Sequence, residues 1–192
     1  DLRSPLLSIK GILSIVKDAA ELTAKNKHFL DLATTSAERL DGTIQEILDY
    51  SRNARLELQL TDFDLKEMIQ TIFDDLKFSC QENMKFSVHI NGSSVIRSDK
   101  YRVNTLLKNI IGNSVKYHRL DLDNPYVTVN IDRSDDHITM AVIDNGQGIA
   151  EKNIEKVFGM FFRGTSKVPG TGLGLYICKE ILSKLGGKID VK

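Results

Sequence analysis

The chain is 192 residues long and sets 26 Lys+Arg against 26 Asp+Glu, a formal net charge of zero. Such neutrality gives no basic field to hold a nucleic-acid backbone, although it is compatible with a local basic pocket. With 41% hydrophobic and 27% charged residues, the composition is that of a globular chain. No apolar run approaches the roughly 20 residues that cross a bilayer. The opening, with Asp1, Arg3 and Pro5, is not a secretory signal. Cys80 and Cys178 are too few and too far apart for a disulfide scaffold or metal knuckle, so buried, reduced thiols in a soluble cytosolic protein are expected.

The N-terminal stretch is helical in pattern. Leu2, Leu6, Ile9, Leu13 and Val16 step as a heptad seam, and after a polar break over residues 21–27 so do Leu30, Ala33, Ala37, Leu40, Ile44 and Ile47. Two helices joined by a short turn predict an antiparallel hairpin. Ile12, Ile15, Phe29 and Leu48 widen both stripes beyond what one partner helix covers. A homodimeric four-helix bundle is therefore expected, rather than packing of both stripes on the rest of the chain.

Residues 53–60 read as a linker or short edge strand. Asp64 is a plausible N-cap for a helix from Leu65 to about Gln81, with Leu65, Met68, Ile69, Ile72, Phe73 and Leu76 on one face. Alternation predicts a strand over residues 86–90. Ser98 or Asp99 then caps a helix reaching about Tyr117. Residues 126–131 and 138–143 predict a hairpin turning at Ser134-Asp135-Asp136. A glycine-rich stretch, residues 146–174, leads into a helix over residues 173–185 that stops at Gly186-Gly187. Residues 188–192 read as a half-finished strand, as of a trimmed C-terminus.

Four local patterns carry chemistry. In Asn109-Ile110-Ile111-Gly112-Asn113, the two amides are one helical turn apart and Lys116 joins their face. Their oxygens and the ammonium suit a magnesium ion and phosphate oxygens, while local helix capping is the plainer reading. Asp144-Asn145-Gly146-Gln147-Gly148-Ile149 follows a strand. Its glycines permit a sharp turn close to a ligand, and Asp144 can accept a hydrogen bond from an adenine amino group; an ordinary turn is the alternative. Phe158-Gly159-Met160-Phe161-Phe162-Arg163 suits a hinged lid with a phosphate-reaching arginine, or a core helix end. Gly170-Thr171-Gly172-Leu173-Gly174-Leu175 opens a helix, where amide groups favour anions. No strand immediately precedes it, which excludes a Rossmann unit, and the Walker pattern is absent.

In this order the four stretches resemble the N, G1, F and G2 boxes of the sensor histidine kinases, whose catalytic domain belongs to the Bergerat ATP-binding superfamily. The resemblance covers nearly the whole chain. It implies an α+β fold: residues 1–55 form an antiparallel helical hairpin for dimerisation and histidine phosphotransfer. Residues 56–192 form a two-layer α/β sandwich with a mixed sheet, helices on one face and an ATP lid from about Asn145 to Gly172. It further implies that Asn113, assisted by Asn109, ligates magnesium, that Lys116 meets phosphate and that Tyr117 lines the site. Asp144, Gly146, Gly148 and Ile149 would shape the adenine pocket. Phe161, Phe162 and Arg163 would belong to the lid, and Gly170, Thr171, Gly172, Leu173, Gly174 and Leu175 to the phosphate loop. Related hydrolases carry Glu in place of Asn109 as a general base for water; an amide cannot take that proton, so transfer to a protein nucleophile is favoured over ATP hydrolysis.

The opening Asp1-Leu2-Arg3-Ser4-Pro5-Leu6 is similar to the family's H box without its histidine, which would stand just before Asp1. Pro5 would bend the helix there, and Asp1 would orient the imidazole or accept its proton. Ser4 stands where the family's phosphatase activity usually relies on Thr or Asn. His28, His89, His118 and His137 have no H-box context. By this resemblance the chain is a cytoplasmic, ATP- and magnesium-dependent autokinase fragment that dimerises and passes phosphate to a response-regulator receiver domain. A degenerate kinase serving as a dimeric scaffold and a Bergerat-type ATPase are the rival readings.

Overall fold

The computed structural model describes residues 3–17, 23–77, 80, 83–134, 136–165 and 170–192. The heptad spacing becomes two antiparallel helices, α1 (Arg3–Lys17) and α2 (Ala24–Arg55). Thr23 caps α2 by accepting the Asn26 amide at 3.3 Å. Ion pairs Lys10–Asp41 at 3.3 Å and Lys17–Asp31 at 2.8 Å span the hairpin and hold its register. Leu6 and Ala37 are buried between the helices. The widened stripes remain open in the single chain: Ile12, Ile15 and Phe29 are 61%, 75% and 56% exposed. Helix α2 continues through Arg55, so the first residues of the expected linker are helical.

Beyond it lie β1 (Leu60–Asp64), α3 (Leu65–Lys77), β2 (Lys85–Asn91), β3 (Val95–Asp99) and α4 (Lys100–Lys116). Then follow β4 (Tyr126–Arg133), β5 (Ile138–Asp144) and α5 (Gly174–Leu185). Strands β2, β4 and β5 form one mixed sheet, with β2 parallel to β4 (Val88 opposite Val129) and β4 antiparallel to β5 (Val129 opposite Val142). Strands β1 and β3 form a separate antiparallel ribbon, Leu60 opposite Asp99. Alternation did not announce β3, because its run Val-Ile-Arg-Ser-Asp lacks a clean period and only Ile96 among its apolar residues is buried. Asp64 closes β1 and also opens α3, its Oδ1 accepting the Lys66 and Glu67 amides at 2.7 and 3.2 Å. The turn of the β4–β5 hairpin includes Asp135, which lies outside the described residues, as do several residues of the expected C-terminal end of α3.

Two apolar cores meet on α4. Val103, Leu107, Ile111 and Val115 recur every fourth residue and face α3 and the sheet, where they join Phe73, Val127, Val129 and Ile131. Leu106 and Ile110 face the other way, against Leu173, Ile177, Cys178 and Ile181 of the α5 segment. Gly186 ends α5 in the left-handed region at φ 75°, its amide donating to Leu182 and Ser183 carbonyls. Residues 188–192 form no strand. Cys178 is fully buried, whereas Cys80 is only partly so. Among the described residues no helix is long and apolar enough to cross a membrane.

The end of α2 is tied to the rest of the chain by two cations. Arg102, 3% exposed, spends its whole donor fork. Its Nε donates to Asn53 Oδ1 at 2.8 Å, Nη2 to the Asn53 and Leu56 carbonyls at 3.2 and 2.6 Å, and Nη1 to the Glu57 carbonyl at 3.3 Å and to Asp99 Oδ2. Lys184 Nζ adds bonds to the Asn53, Ala54 and Leu56 carbonyls at 2.6, 3.3 and 2.8 Å. The Asn53 and Ala54 carbonyls are among those a helix leaves unpaired at its C-terminal end, where positive charge is favourable.

Burial works to raise the pKa of Asp99. Hydrogen bonds from the Arg102 and Gln59 amides and the Arg102 guanidinium outweigh it and hold the carboxyl below its ordinary value. A depressed folded-state pKa contributes stability that is complete above the unfolded value of about 3.9 and is lost as pH falls through the folded value. Asp99→Asn leaves a buried guanidinium unpaired and is expected to cost about 3–5 kcal/mol near neutral pH. In denaturant titrations its deficit against the parent should narrow as pH drops below about 3.9. Leu107→Ala, which empties a fully buried position under the sheet, should cost about 2–5 kcal/mol in the same measurement.

Candidate functional site

Helix α4, packed on two sides, offers its remaining stripe to the glycine-rich segments. Asn109 donates from Nδ2 to the Thr105 carbonyl at 2.9 Å, which turns its Oδ1 outward. Gly174, the first residue of α5, comes so near that a Cβ there would lie 2.7 Å from that oxygen. Gly170 approaches Lys116 in the same way, with a Cβ falling 2.6 Å from Nζ. Asn113 lies one turn from Asn109 and is half-buried. Lys116 stands over the Tyr117 ring, with Nζ 5.6 Å from its centre.

The segment after β5 closes on the end of α4. Asp144 Oδ1 accepts the Gly146 amide at 2.9 Å, and its Oδ2 has no partner among the described residues. Gly146 lies against the Tyr117 carbonyl, where a Cβ would fall at 2.7 Å, and Gln147 donates its amide to that carbonyl at 2.9 Å. The Gln147 side chain donates to the His118 carbonyl at 3.2 Å. Gly148 takes φ 67°, a conformation few other residues adopt without strain. The backbone after Asp144 is therefore folded around Tyr117 and leaves one carboxylate oxygen facing out.

The aromatic segment is not a core helix end. Phe161 holds a left-handed backbone at φ 61° and is 60% exposed; Phe162 is half-buried and Arg163 exposed. Gly172 at φ 77° presses on this backbone, a Cβ there falling 2.6 Å from the Phe162 carbonyl oxygen. The lid and the loop before α5 are thus in direct contact. Thr171 Oγ1 accepts the Leu173 amide at 3.1 Å and donates its own proton to Glu46 Oε2 of α2.

Glu46 and Gln147 were not singled out by sequence. Gln147 lies inside a motif and could have been; Glu46 carries no such signal, being one acid among many on a long helix. Burial raises the Glu46 pKa, against the Thr171 hydrogen bond and the attraction of Lys116, with Asp49 adding to the rise. Burial lowers the Lys116 pKa, Glu46 opposing and Arg163 reinforcing. These charges therefore share one partly desolvated neighbourhood. Ile149 is 41% exposed and Leu175 half-buried. Asp1 lies outside the described residues, as do residues 166–169 of the expected lid.

At 146, 170 and 174 the backbone lies so close to the Tyr117 carbonyl, Lys116 Nζ and Asn109 Oδ1 that a Cβ would collide, so these positions take glycine and the loop backbone itself borders the polar groups. Among the described residues no group of three or more His, Cys, Asp or Glu is placed to hold a metal. A divalent ion here would rest on the outward Asn109 oxygen, Asn113 and the ligand's own oxygens, a donor set that suits magnesium.

Residues 1–56 match the His Kinase A (phospho-acceptor) domain, and residues 98–192 match the histidine kinase-, DNA gyrase B- and HSP90-like ATPase family. Cyanobacterial phytochrome B of Nostoc sp. is 33% identical over 198 residues, covering 100% of this chain and 26% of that protein. Across the first curated relatives, the chain spans 23–36% of their length. Full-length ShkA in complex with AMPPNP superposes with a TM-score of 0.75 at 21% identity, over 98% of this chain and 40% of that one. Histidine kinase ThkA in complex with response regulator protein TrrA superposes at 0.65 and 23% identity, over 96% and 52%. At these identities the structures speak to the fold. The two family matches, in the order phospho-acceptor hairpin then ATPase sandwich, make the chain a member of the sensor histidine kinases of two-component systems.

Proposed function

We propose that this chain is the catalytic portion of an ATP-dependent autokinase that phosphorylates a histidine and then a response-regulator aspartate. The observation that carries the reading is the close approach of Gly174, Gly170 and Gly146 to Asn109 Oδ1, Lys116 Nζ and the Tyr117 carbonyl. That arrangement gathers the loop backbone and the polar groups of α4 in one place, where a triphosphate would meet both. Asp144 Oδ2 accepts a hydrogen bond from the adenine amino group. Lys116 and the amides of residues 170–174 meet phosphate oxygens, and Arg163 closes from the lid. Asn109 and Asn113 would hold magnesium, which when bound would offset the charge of the phosphate oxygens.

The nucleophile is a histidine of the phospho-acceptor domain. Its imidazole nitrogen forms the N–P bond as the bond from the γ-phosphorus to the bridging oxygen breaks and ADP leaves; Asp1 takes the imidazole proton. The protein's contribution is mainly positioning and charge stabilisation. Asn109 gives its amide hydrogen to Thr105 and has no basic site, so water is not activated there. The exposed stripes at Ile12, Ile15 and Phe29 support pairing with a second copy as a four-helix bundle. A receiver domain docks on that bundle beside the phosphohistidine. The ThkA–TrrA complex supports this choice of partner.

The chain extended at its N-terminus through one histidine-bearing turn, given magnesium and γ-labelled ATP, should acquire acid-labile, base-stable phosphate. No such label would sink the kinase reading. Asp144→Asn should weaken ATP binding about 10- to 100-fold, as expected for loss of a hydrogen bond to a charged group. Titration calorimetry checks this, and an undiminished affinity would remove Asp144 from the adenine site.

A further inference from the structure

The contact between Glu46 and Thr171 joins parts of the chain that the ATP reading leaves separate. Glu46 belongs to α2, in the hairpin; Thr171 belongs to the glycine loop, 125 residues away. The Thr171 hydroxyl proton points to the Glu46 carboxylate, while its lone pair accepts the Leu173 amide at the start of α5. Lys116 is drawn to the same carboxylate, and Arg163 lies within electrostatic reach of Lys116. Gly170 rests against the Lys116 ammonium, and Gly172 against the lid backbone at Phe161 and Phe162. A single carboxylate thus sits among the groups that would receive phosphate oxygens, and the loop it holds also braces the lid.

We propose that Glu46 is a built-in anion that occupies the phosphate end of the nucleotide site and latches α2 to the glycine loop until ATP displaces it. The proposal rests on the ATP reading of the same groups. Its physical content is competition. Thr171 cannot give its one proton to Glu46 and to a phosphate oxygen together. A carboxylate and a triphosphate beside one lysine repel each other, more so where water is partly excluded. Nucleotide entry therefore requires the carboxylate to leave, which frees α2 from the loop and the loop from its present hold on the lid. By linkage, whatever draws α2 away from the loop strengthens ATP binding by the same factor that ATP weakens the latch.

The parent chain, Glu46→Ala and Glu46→Gln are titrated calorimetrically with Mg-AMPPNP and, separately, with adenosine, which lacks phosphates. Both variants should bind AMPPNP roughly three- to tenfold more tightly, the gain expected when a closed state that excludes ligand is removed. Adenosine affinity should not change. The Gln variant keeps the length of the side chain and removes the charge that repels the triphosphate, so it decides the matter should the Ala variant fold poorly by circular dichroism. Unchanged or weaker AMPPNP binding by the folded variants overturns the latch, as does an equal gain for adenosine. If the parent binds neither ligand, the ATP reading itself falls, an outcome distinct from a parent that binds and variants that gain nothing.

Discussion

Helix α4 has little circumference to spare. One side faces α3 and the sheet through Val103, Leu107, Ile111 and Val115; another faces the α5 segment through Leu106 and Ile110. What remains is a narrow stripe, and Asn109, Asn113 and Lys116 lie along it. Because both flanks are packed, the polar side chains stand on a rigid base, and the glycine loop can be pressed against them without displacing the helix. Glycine in the approaching backbone at 146, 170 and 174 is the complement of that rigidity: the support stays fixed, and the loop comes this close because it carries no Cβ there.

The joint between the hairpin and the sandwich has a different character. It is polar, and it concentrates on the last turn of α2, where Arg102 and Lys184 collect the carbonyls of Asn53, Ala54, Leu56 and Glu57. Apolar contact adds to it through the tilted rings of Tyr50 and Tyr176, 5.8 Å apart. Further out, Tyr101 donates to Asp49 at 2.7 Å. Directional bonds of this kind hold one orientation well and do not grade smoothly into another, unlike greasy surfaces that slide. The joint is dense near Asn53 and extends along α2 to Glu46.

Much of this architecture was legible in the residues. The 3.6-residue period marked every long helix, Asp64 and Asp99 stand at helix starts as expected, and Gly186 stops α5. Strands β2, β4 and β5 alternate because one face of their sheet is packed and the other solvated. What stayed hidden was nonlocal. Strand β3 exists because β1 pairs with it, not because its own sequence insists. Residues 53–55 remain helical because cations from α4 and α5 satisfy the carbonyls there. The order of the boxes pointed to the groups on α4 and the loops, but no local pattern brings Glu46 to Thr171. That pairing depends on how the hairpin lies against the sandwich.

Cys178 gives the second core one more property. Its thiol lies between α4 and α5, 3.8 Å from the Leu106 carbonyl, and burial pushes its pKa up to about 12. Burial therefore keeps the sulfur as the unreactive thiol at neutral pH. Oxidants and alkylating agents therefore meet two barriers, one of access and one of ionisation, and both fall only when α5 parts from α4. The rate at which this sulfur reacts is a clock for that parting, set by the opening of the helix pair that frames the glycine loop rather than by the chemistry of sulfur.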